Sequence, residues 1–501
     1  MFKLIEFTTI DGEEYIYNFV ENRIYYKNPC MKRIIELCNK HELNEIIALL
    51  NPQFSKEYIL YNYRIINKFE NEKRFLERLK NEIFSNEKEY LPRITIETFE
   101  REISNVRQLT LEVSQACNLR CEYCIYSGTY KFHRTHSNKI MPFEIAQKSI
   151  DYFFSLVNSD KRTRPFGSVS IGFYGGEPLI AFGLIKECVE YIKKKDSKEK
   201  INFTITTNGT LLDKGKLNYL IENNFSIAIS LDGPKEEHDK FRRFKNKKGS
   251  FDKIWNNIMM IKKMDKQFFE KNVGFVCIYC KAHNLLNMEK FFQENFPSNR
   301  LRVSEVRKYE TSFFNDLEPI SDFNKNFEVL NKKFISSLLY GTPASNFVKS
   351  LFSVSIFPLI KRDFKNLEEK LLENKIFKVS SNCFPGGYRI FVNAEGLFFI
   401  CEKINQAFPI GDYIRGISFK KVKKVLELYY KNVERRCFFC EAQRFCSLCF
   451  AHHAKKIDFG YPEYCTDIKN TIPKILSTYV NVLLKNKEAF AEKSNAEIYN
   501  Q

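Results

Sequence analysis

Three cysteines in the run Ala116-Cys117-Asn118-Leu119-Arg120-Cys121-Glu122-Tyr123-Cys124 carry the strongest chemical signal in this chain. Their spacing is Cys-x3-Cys-x2-Cys, with an aromatic residue just before the last thiol. A four-iron cubane has four corners, and three thiolates occupy three of them. The fourth iron then stays open to a reacting ligand, which separates a catalytic metal centre from a closed structural one. A zinc knuckle or three unrelated thiols would give the same spacing, so the neighbouring residues must discriminate.

Seven further cysteines lie downstream: Cys383, Cys401, then Cys437-x2-Cys440-x5-Cys446-x2-Cys449, then Cys465. Clustered Cys-x2-Cys pairs in a large chain point to metal rather than to disulfides, and two zinc ribbons are the plain reading. Cys277 and Cys280 have the same spacing inside the apolar run Val276-Cys277-Ile278-Tyr279-Cys280. Strand residues there are expected in the core, with Cys280 an outside candidate for a fourth ligand. Cys30, Cys38 and Cys188 read as small core residues.

The elements that must position these groups alternate in type from residue 108 onward. Strand patterns cover Gln108–Val113, Ser168–Tyr174, Asn202–Thr207, Ser226–Leu231, Asn272–Tyr279 and Leu301–Val306. Helix patterns cover Pro142–Leu156, Ala181–Lys195, Lys214–Asn223, Phe251–Met264 and Leu286–Asn295, and Pro142 suits a first helical position. Six strands with helices between them predict a parallel sheet curled into a partial barrel. Chemistry in such folds sits at the C-terminal ends of strands. Cys117 follows the first strand. Gly175-Gly176-Glu177-Pro178 ends the second, Thr206-Thr207-Asn208-Gly209 the third and Ser230-Leu231-Asp232-Gly233 the fourth.

The first hundred residues are organised differently. Phe2–Thr9, Glu14–Phe19 and Ile24–Tyr26 read as strands, with Asp11-Gly12 as a turn, followed by a helix over Met31–His41 and a charged helical stretch over Tyr58–Glu89. Residues 311–375 read as a bridge. Beyond them, short strands at Tyr388–Val392 and Leu397–Ile400 belong to a small loop-rich domain held by metal. A closing helix follows at Lys474–Lys485.

Together the triplet and the strand-end motifs resemble the radical SAM superfamily over roughly residues 108–306. The resemblance implies an α/β fold: a partial (β/α)6 barrel with an N-terminal winged-helix-like leader-binding domain and a C-terminal iron–sulfur SPASM domain. It implies that Cys117, Cys121 and Cys124 hold a 4Fe–4S cluster that binds S-adenosyl-L-methionine. It places Tyr123 beside the cluster and adenine, and lets Gly175 and Gly176 approach a ligand closely. Glu177 would hold the SAM amino group, Asn208 and Ser230 would approach the ribose, and Arg242 would pair with the carboxylate through its fork of donors. In this family a reduced cluster cleaves SAM to methionine and a 5′-deoxyadenosyl radical, which abstracts a substrate hydrogen; the protein positions and shields.

The later cysteines resemble the SPASM extension, which carries two auxiliary clusters. By that resemblance Cys437, Cys440, Cys446 and Cys465 hold one, and Cys383, Cys401 and Cys449 the other. The family's four-cysteine stretch ends in x3 where this chain has x2. No fourth cysteine stands just upstream of Cys383, so the second auxiliary cluster could keep an open iron for a substrate thiolate. The segment Ile125-Tyr126-Ser127-Gly128-Thr129-Tyr130, with Arg134-Thr135-His136 and Met141, resembles SPASM peptide maturases of the thioether-forming ranthipeptide and sactipeptide type. Cys446-Ser447-Leu448-Cys449-Phe450 fits the same group. His133 and His136 read as ordinary loop residues.

The expected domains are 1–100 for peptide recognition and a helical linker, 101–310 for the radical SAM core, 311–375 as a bridge, 376–470 as SPASM and 471–501 as a C-terminal helix. The expected reaction is hydrogen abstraction from a ribosomally made precursor peptide, followed by a cysteine thioether crosslink. Rivals are formylglycine formation in the manner of an anaerobic sulfatase maturase, carbon–carbon crosslinking, epimerisation, or a zinc-ribbon nucleic-acid binder. The sequence assigns no catalytic base. Expected partners are a precursor peptide with a leader sequence and a reductant such as flavodoxin or ferredoxin.

Bulk properties bound these readings. The chain has 501 residues, enough for about three domains. At 44% hydrophobic residues it can bury a sizeable core. The formal charge of +18 would suit nucleic acid, but the lysines are scattered among acids. They read as a solvated surface, with a smaller share that attracts an acidic peptide or cofactor. No run of 18 apolar residues is present, so no membrane span and a cytoplasmic location are expected.

Overall fold

The computed structural model describes residues 5–85, 94–159, 168–195, 200–360, 383–437, 439–446, 448–456, 458–460, 465–487 and 489. The end of the helical stretch expected to Glu89 and residues 361–375 of the expected bridge lie outside them. An antiparallel sheet of β1 (Ile5–Thr8), β2 (Glu14–Asn18) and β3 (Arg23–Tyr26) opens the fold in that spatial order. Gly12 supplies the left-handed φ of +85° that the first turn requires. Three helices follow: α1 (Pro29–Leu37), α2 (Leu43–Leu50) and α3 (Lys56–Ser85). Asn28 caps α1 by accepting from the Met31 N–H at 2.9 Å, and Pro29 fills the first helical position. Ile16, Met31, Ile34, Ile46 and Ile59 form a core of their own between this sheet and its helices.

After α4 (Ile96–Ile103) the alternating pattern begins. Its strands are β4 (Gln108–Ser114), β5 (Ser168–Gly175), β6 (Lys200–Thr207), β7 (Ser226–Ser230), β8 (Val273–Tyr279) and β9 (Arg300–Glu305). Between them run α5 (Phe143–Ser159), α6 (Phe182–Lys193), α7 (Lys214–Glu222), α8 (Lys235–Phe241), α9 (Phe251–Met264), α10 (Lys266–Asn272) and α11 (Leu285–Asn295). All six strands pair in parallel and in sequence order. Side chains alternate across the sheet. Leu109, Leu111 and Val113 join Ile171, Phe173 and Ile205 in the core under the helices. The other face is small and polar: a Cβ on Gly172 would stand 2.8 Å from Thr204 Oγ1 and 3.5 Å from Thr110 Oγ1. Over β4–β6 the sheet is therefore apolar under the helices and hydroxyl-bearing on its other face.

Beyond α12 (Phe323–Tyr340) and α13 (Asn346–Ile360) the chain re-enters the same sheet. β10 (Arg389–Val392) pairs in parallel with β4, and β11 (Leu397–Phe399), β12 (Gly411–Asp412) and β13 (Gly416–Ile417) extend it to ten strands. The expected domain boundary at 376 is thus followed by a hairpin built onto the barrel's own edge. Helices α14 (Phe419–Tyr429) and α15 (Cys465–Lys485) frame the remaining cysteines. The N-terminal sheet docks on this region. Arg444 Nε donates to Phe19 O at 2.9 Å, Tyr17 meets Phe445 edge-on at 5.3 Å, and the Ser477 hydroxyl donates to Thr8 O at 2.8 Å.

Phe225 is fully buried, stacked 5.9 Å from Phe173 and 5.4 Å from Phe203. Phe225→Ala is expected to destabilise the barrel by about 3–5 kcal/mol, read as a lower denaturant midpoint of the metal-free protein. An unchanged midpoint would remove this stack from the core.

Candidate metal and cofactor site

The cysteine loop leaves β4 and is clamped on two sides. On one side the Gly176 N–H donates to Ser114 O at 2.7 Å and the Glu177 N–H to Ala116 O at 2.8 Å. A Cβ on Gly175 or Gly176 would overlap the carbonyls of Ser114 and Ala116, and Gly175 has a φ of +149°. The close approach that these glycines allow is to the root of the cysteine loop. On the other side Arg120 N donates to Arg243 O at 2.7 Å and Glu122 N to Phe241 O at 3.1 Å. The loop is thereby sandwiched between the end of β5 and the segment that follows α8.

Cys121 is buried, and Cys117 and Cys124 are half-buried. They share an apolar pocket with Leu119, Tyr123, Phe241 and Phe313. Burial pushes the Cys117 thiol up to about 11, helped by the Glu177 charge, and the Cys121 thiol up to about 12. Cys124 is raised for the same reason. Thiols this reluctant to ionise become thiolates when a metal supplies the positive charge. One N–H approaches each sulfur: Asn208 Nδ2 at 3.8 Å from Cys117, Arg242 Nη1 at 3.7 Å from Cys121 and Tyr126 N at 3.4 Å from Cys124. Three soft ligands, dry walls and a donor for each sulfur fit an iron–sulfur cluster.

The strand-end motifs surround this pocket. Glu177 is wholly buried and accepts from Thr207 Oγ1 at 2.6 Å, Asn208 N at 2.7 Å and Leu179 N at 3.0 Å. Burial pushes its carboxyl up to about 7 against those donors. It ties the end of β5 to the end of β6. Asn208 accepts at Oδ1 from Thr210 N (3.0 Å) and Oγ1 (2.6 Å) and donates to Asn118 Oδ1 at 2.9 Å. Ser230 closes β7, half-buried. Arg242 is buried, with Nε donating to Asp232 at 2.8 Å. The Tyr123 hydroxyl donates to the same carboxylate, and Ile278 N donates at 2.8 Å. Burial alone would raise the Asp232 carboxyl, but the Arg242 guanidinium holds it below its ordinary value.

Two acids in this site carried no role in the sequence reading. Asp232 was legible only as half of an Asp-Gly turn. Glu112 sits in β4 with no exposure and pairs with Arg134, whose Nε donates at 2.9 Å and whose guanidinium lies 3.6 Å over the Tyr126 ring. A single acid inside the apolar run Leu109–Val113 was the available signal for it.

Downstream cysteines fall into two neighbouring groups. Cys446 feels the charges of Cys440, Cys465 and Cys449, and Cys440 N donates to Cys437 O at 3.0 Å. Cys449 feels Cys383, and Cys401 feels Cys449. Burial pushes Cys446 up to about 11 and Cys401 up to about 12. Cys449 Sγ lies 3.4 Å from His452 Nδ1. Among the described residues no three Cys, His, Asp or Glu side chains are grouped as for a single metal ion. Cys30, Cys188, Cys277 and Cys280 have no exposure, and Cys280 Sγ meets His283 Nδ1 at 3.3 Å. His133 packs against Tyr130 and lies 3.4 Å from Arg307 Nη1; burial first, then the arginines, push it down to about 3. His136 packs against Tyr126.

Residues 111–273 match the family described as the Radical SAM superfamily. A cysteine-type anaerobic sulfatase-maturating enzyme of Clostridium novyi is 28% identical over 331 residues, covering 64% of this chain and 78% of that protein. The radical SAM cyclopropyl synthase TigE of Paramaledivibacter caminithermalis is 24% identical over 462 residues, covering 87% and 84%. The solved structure of native anSMEcpe with bound AdoMet superposes with a TM-score of 0.52 at 21% identity, covering 77% of this chain and 99% of that one. It shares the fold.

Anaerobically reconstituted protein is expected to hold about twelve irons, the content of three cubanes. Replacing Cys117, Cys121 and Cys124 together by Ala should remove roughly a third of them. Gly176→Ala, which drives the β5 end off the cysteine loop, should lose the same share. Zinc without iron would overturn the cluster assignment.

Proposed function

From the match of residues 111–273 to the Radical SAM superfamily, we propose that this enzyme modifies a peptide and installs a cysteine thioether. Its cofactors are S-adenosyl-L-methionine and 4Fe–4S clusters. When bound, they supply a 5′-deoxyadenosyl radical that takes a hydrogen atom from carbon. Glu177, Asn208 and Ser230 at the strand ends, with Tyr123 of the cysteine loop and Arg242 at the end of α8, would hold SAM. The polar inner face of the half-barrel admits a hydrated peptide backbone, and the apolar pocket around the triad excludes water from the radical.

One observation carries the thioether reading. By resemblance to the SPASM extension, the seven downstream cysteines divide into four and three, apart from the triad and from Cys30, Cys38, Cys188, Cys277 and Cys280. The three, Cys383, Cys401 and Cys449, leave one corner of a cubane without a thiolate, a place for a peptide sulfur. Forming the C–S bond removes a hydrogen atom from carbon and a proton plus one electron from the thiol, so a one-electron acceptor is required. β3 supports peptide recognition: among the described residues it pairs with β2 alone, and an extended leader would add along that edge by backbone hydrogen bonds. Flavodoxin or ferredoxin remains the expected reductant. Among the described residues no helix is long and apolar enough to cross a membrane.

Similarity to the Clostridium novyi sulfatase-maturating enzyme favours a second reading, oxidation of a peptide cysteine to formylglycine. Co-expression with a cysteine-containing precursor peptide encoded beside the gene separates the two. A thioether product is lighter by two hydrogens per crosslink, keeps its sulfur and loses one alkylatable thiol. A product that has lost sulfur and gained a hydrazide-reactive carbonyl would establish the second reading, and an unchanged thiol count would exclude both.

A further inference from the structure

We infer that Arg242 and Asn208 are positioning residues that raise the reduction potential of the first cluster by donating hydrogen bonds to its thiolates. This rests on the triad as the cluster site. Each of the two donors is fixed by contacts on its far side. Asn208 accepts two hydrogen bonds from Thr210 at Oδ1, so its orientation is set and Nδ2 must face Asn118 and Cys117 Sγ. Arg242 is only 8% exposed, and its Nε is occupied by Asp232, which is 1% exposed and held by Tyr123 and Ile278 N. That clamp aims Nη1 at Cys121 Sγ.

A buried guanidinium needs negative charge around it. Asp232 supplies one side, and a ligating Cys121 thiolate supplies the other. Reduction adds an electron to the cluster, and N–H donors and nearby positive charge stabilise that state, so the potential rises. The charged donor at Cys121 should act more strongly than the neutral amide at Cys117. Asp232 acts in the opposite direction, because it offsets the Arg242 charge. Two neighbouring residues therefore carry opposite predicted signs, which a purely mechanical role in holding the loop would not produce. A role in gripping SAM alone would leave the potential without SAM unchanged.

The test is the cluster midpoint potential, followed by EPR in full-length reconstituted protein without SAM. The signal that changes on adding SAM identifies the first cluster. Arg242→Gln should shift the midpoint down, Asn208→Ala should shift it down by less, and Asp232→Asn should shift it up, each with iron content retained. Unmoved midpoints, or shifts of one sign in Arg242→Gln and Asp232→Asn, would overturn the inference. If one variant fails to load iron, the remaining two still carry the test. If replacing Cys117, Cys121 and Cys124 by Ala removes no iron relative to wild type, the site assignment falls instead, a separate result from an unmoved midpoint.

Discussion

Two peptide units without side chains, at Gly175 and Gly176, let the end of β5 lie directly against the carbonyls of Ser114 and Ala116. Much of the candidate site depends on that contact. It sets the direction in which the cysteine loop leaves β4, and it places Glu177 under the loop. Glu177 then gathers donors from the end of β6, which brings Asn208 to Cys117. Three strand ends are joined by backbone and buried carboxylate before any ligand arrives. Such preorganisation is what a reactive intermediate needs, because the geometry is fixed before the chemistry starts.

The same strand carries a second constraint. Glu112 on β4 accepts from the Ala394 N–H at 3.1 Å and pairs with Arg134 beyond the triad. Arg134 in turn covers Tyr126 two residues after Cys124. One buried acid thus anchors the loop that follows the first cysteines and the turn that precedes Cys401. Breaking a buried pair of this kind leaves an uncompensated charge and costs about 3–5 kcal/mol. The loop of the first three cysteines and the turn before Cys401 are fixed to a common strand.

Local pattern was readable and distant pairing was not. The strand expected over Asn272–Tyr279 is β8 at Val273–Tyr279, because period-two burial and a following turn define it without outside help. The seven-residue helices α8 and α10 were missed, since fewer than two turns give little periodic signal. The motif residues stand at the strand ends where alternation put them. The partners of Arg242 were out of reach, because Asp232 and Cys121 approach it from different loops. The union of β10 with β4 leaves no local trace at all. Nothing in Arg389–Val392 distinguishes a free hairpin strand from one that continues a barrel.

That union has a consequence for how the chain comes to be folded. β4 and the hairpin turn it contacts are 282 residues apart in sequence. A ribosome reaches the second long after it has released the first. Throughout that interval β4 presents an open edge, the kind of surface that recruits unwanted strands, and parallel pairing across such a distance forms slowly. The strand that roots the first cysteine loop is thus among the last in its sheet to gain both neighbours during synthesis.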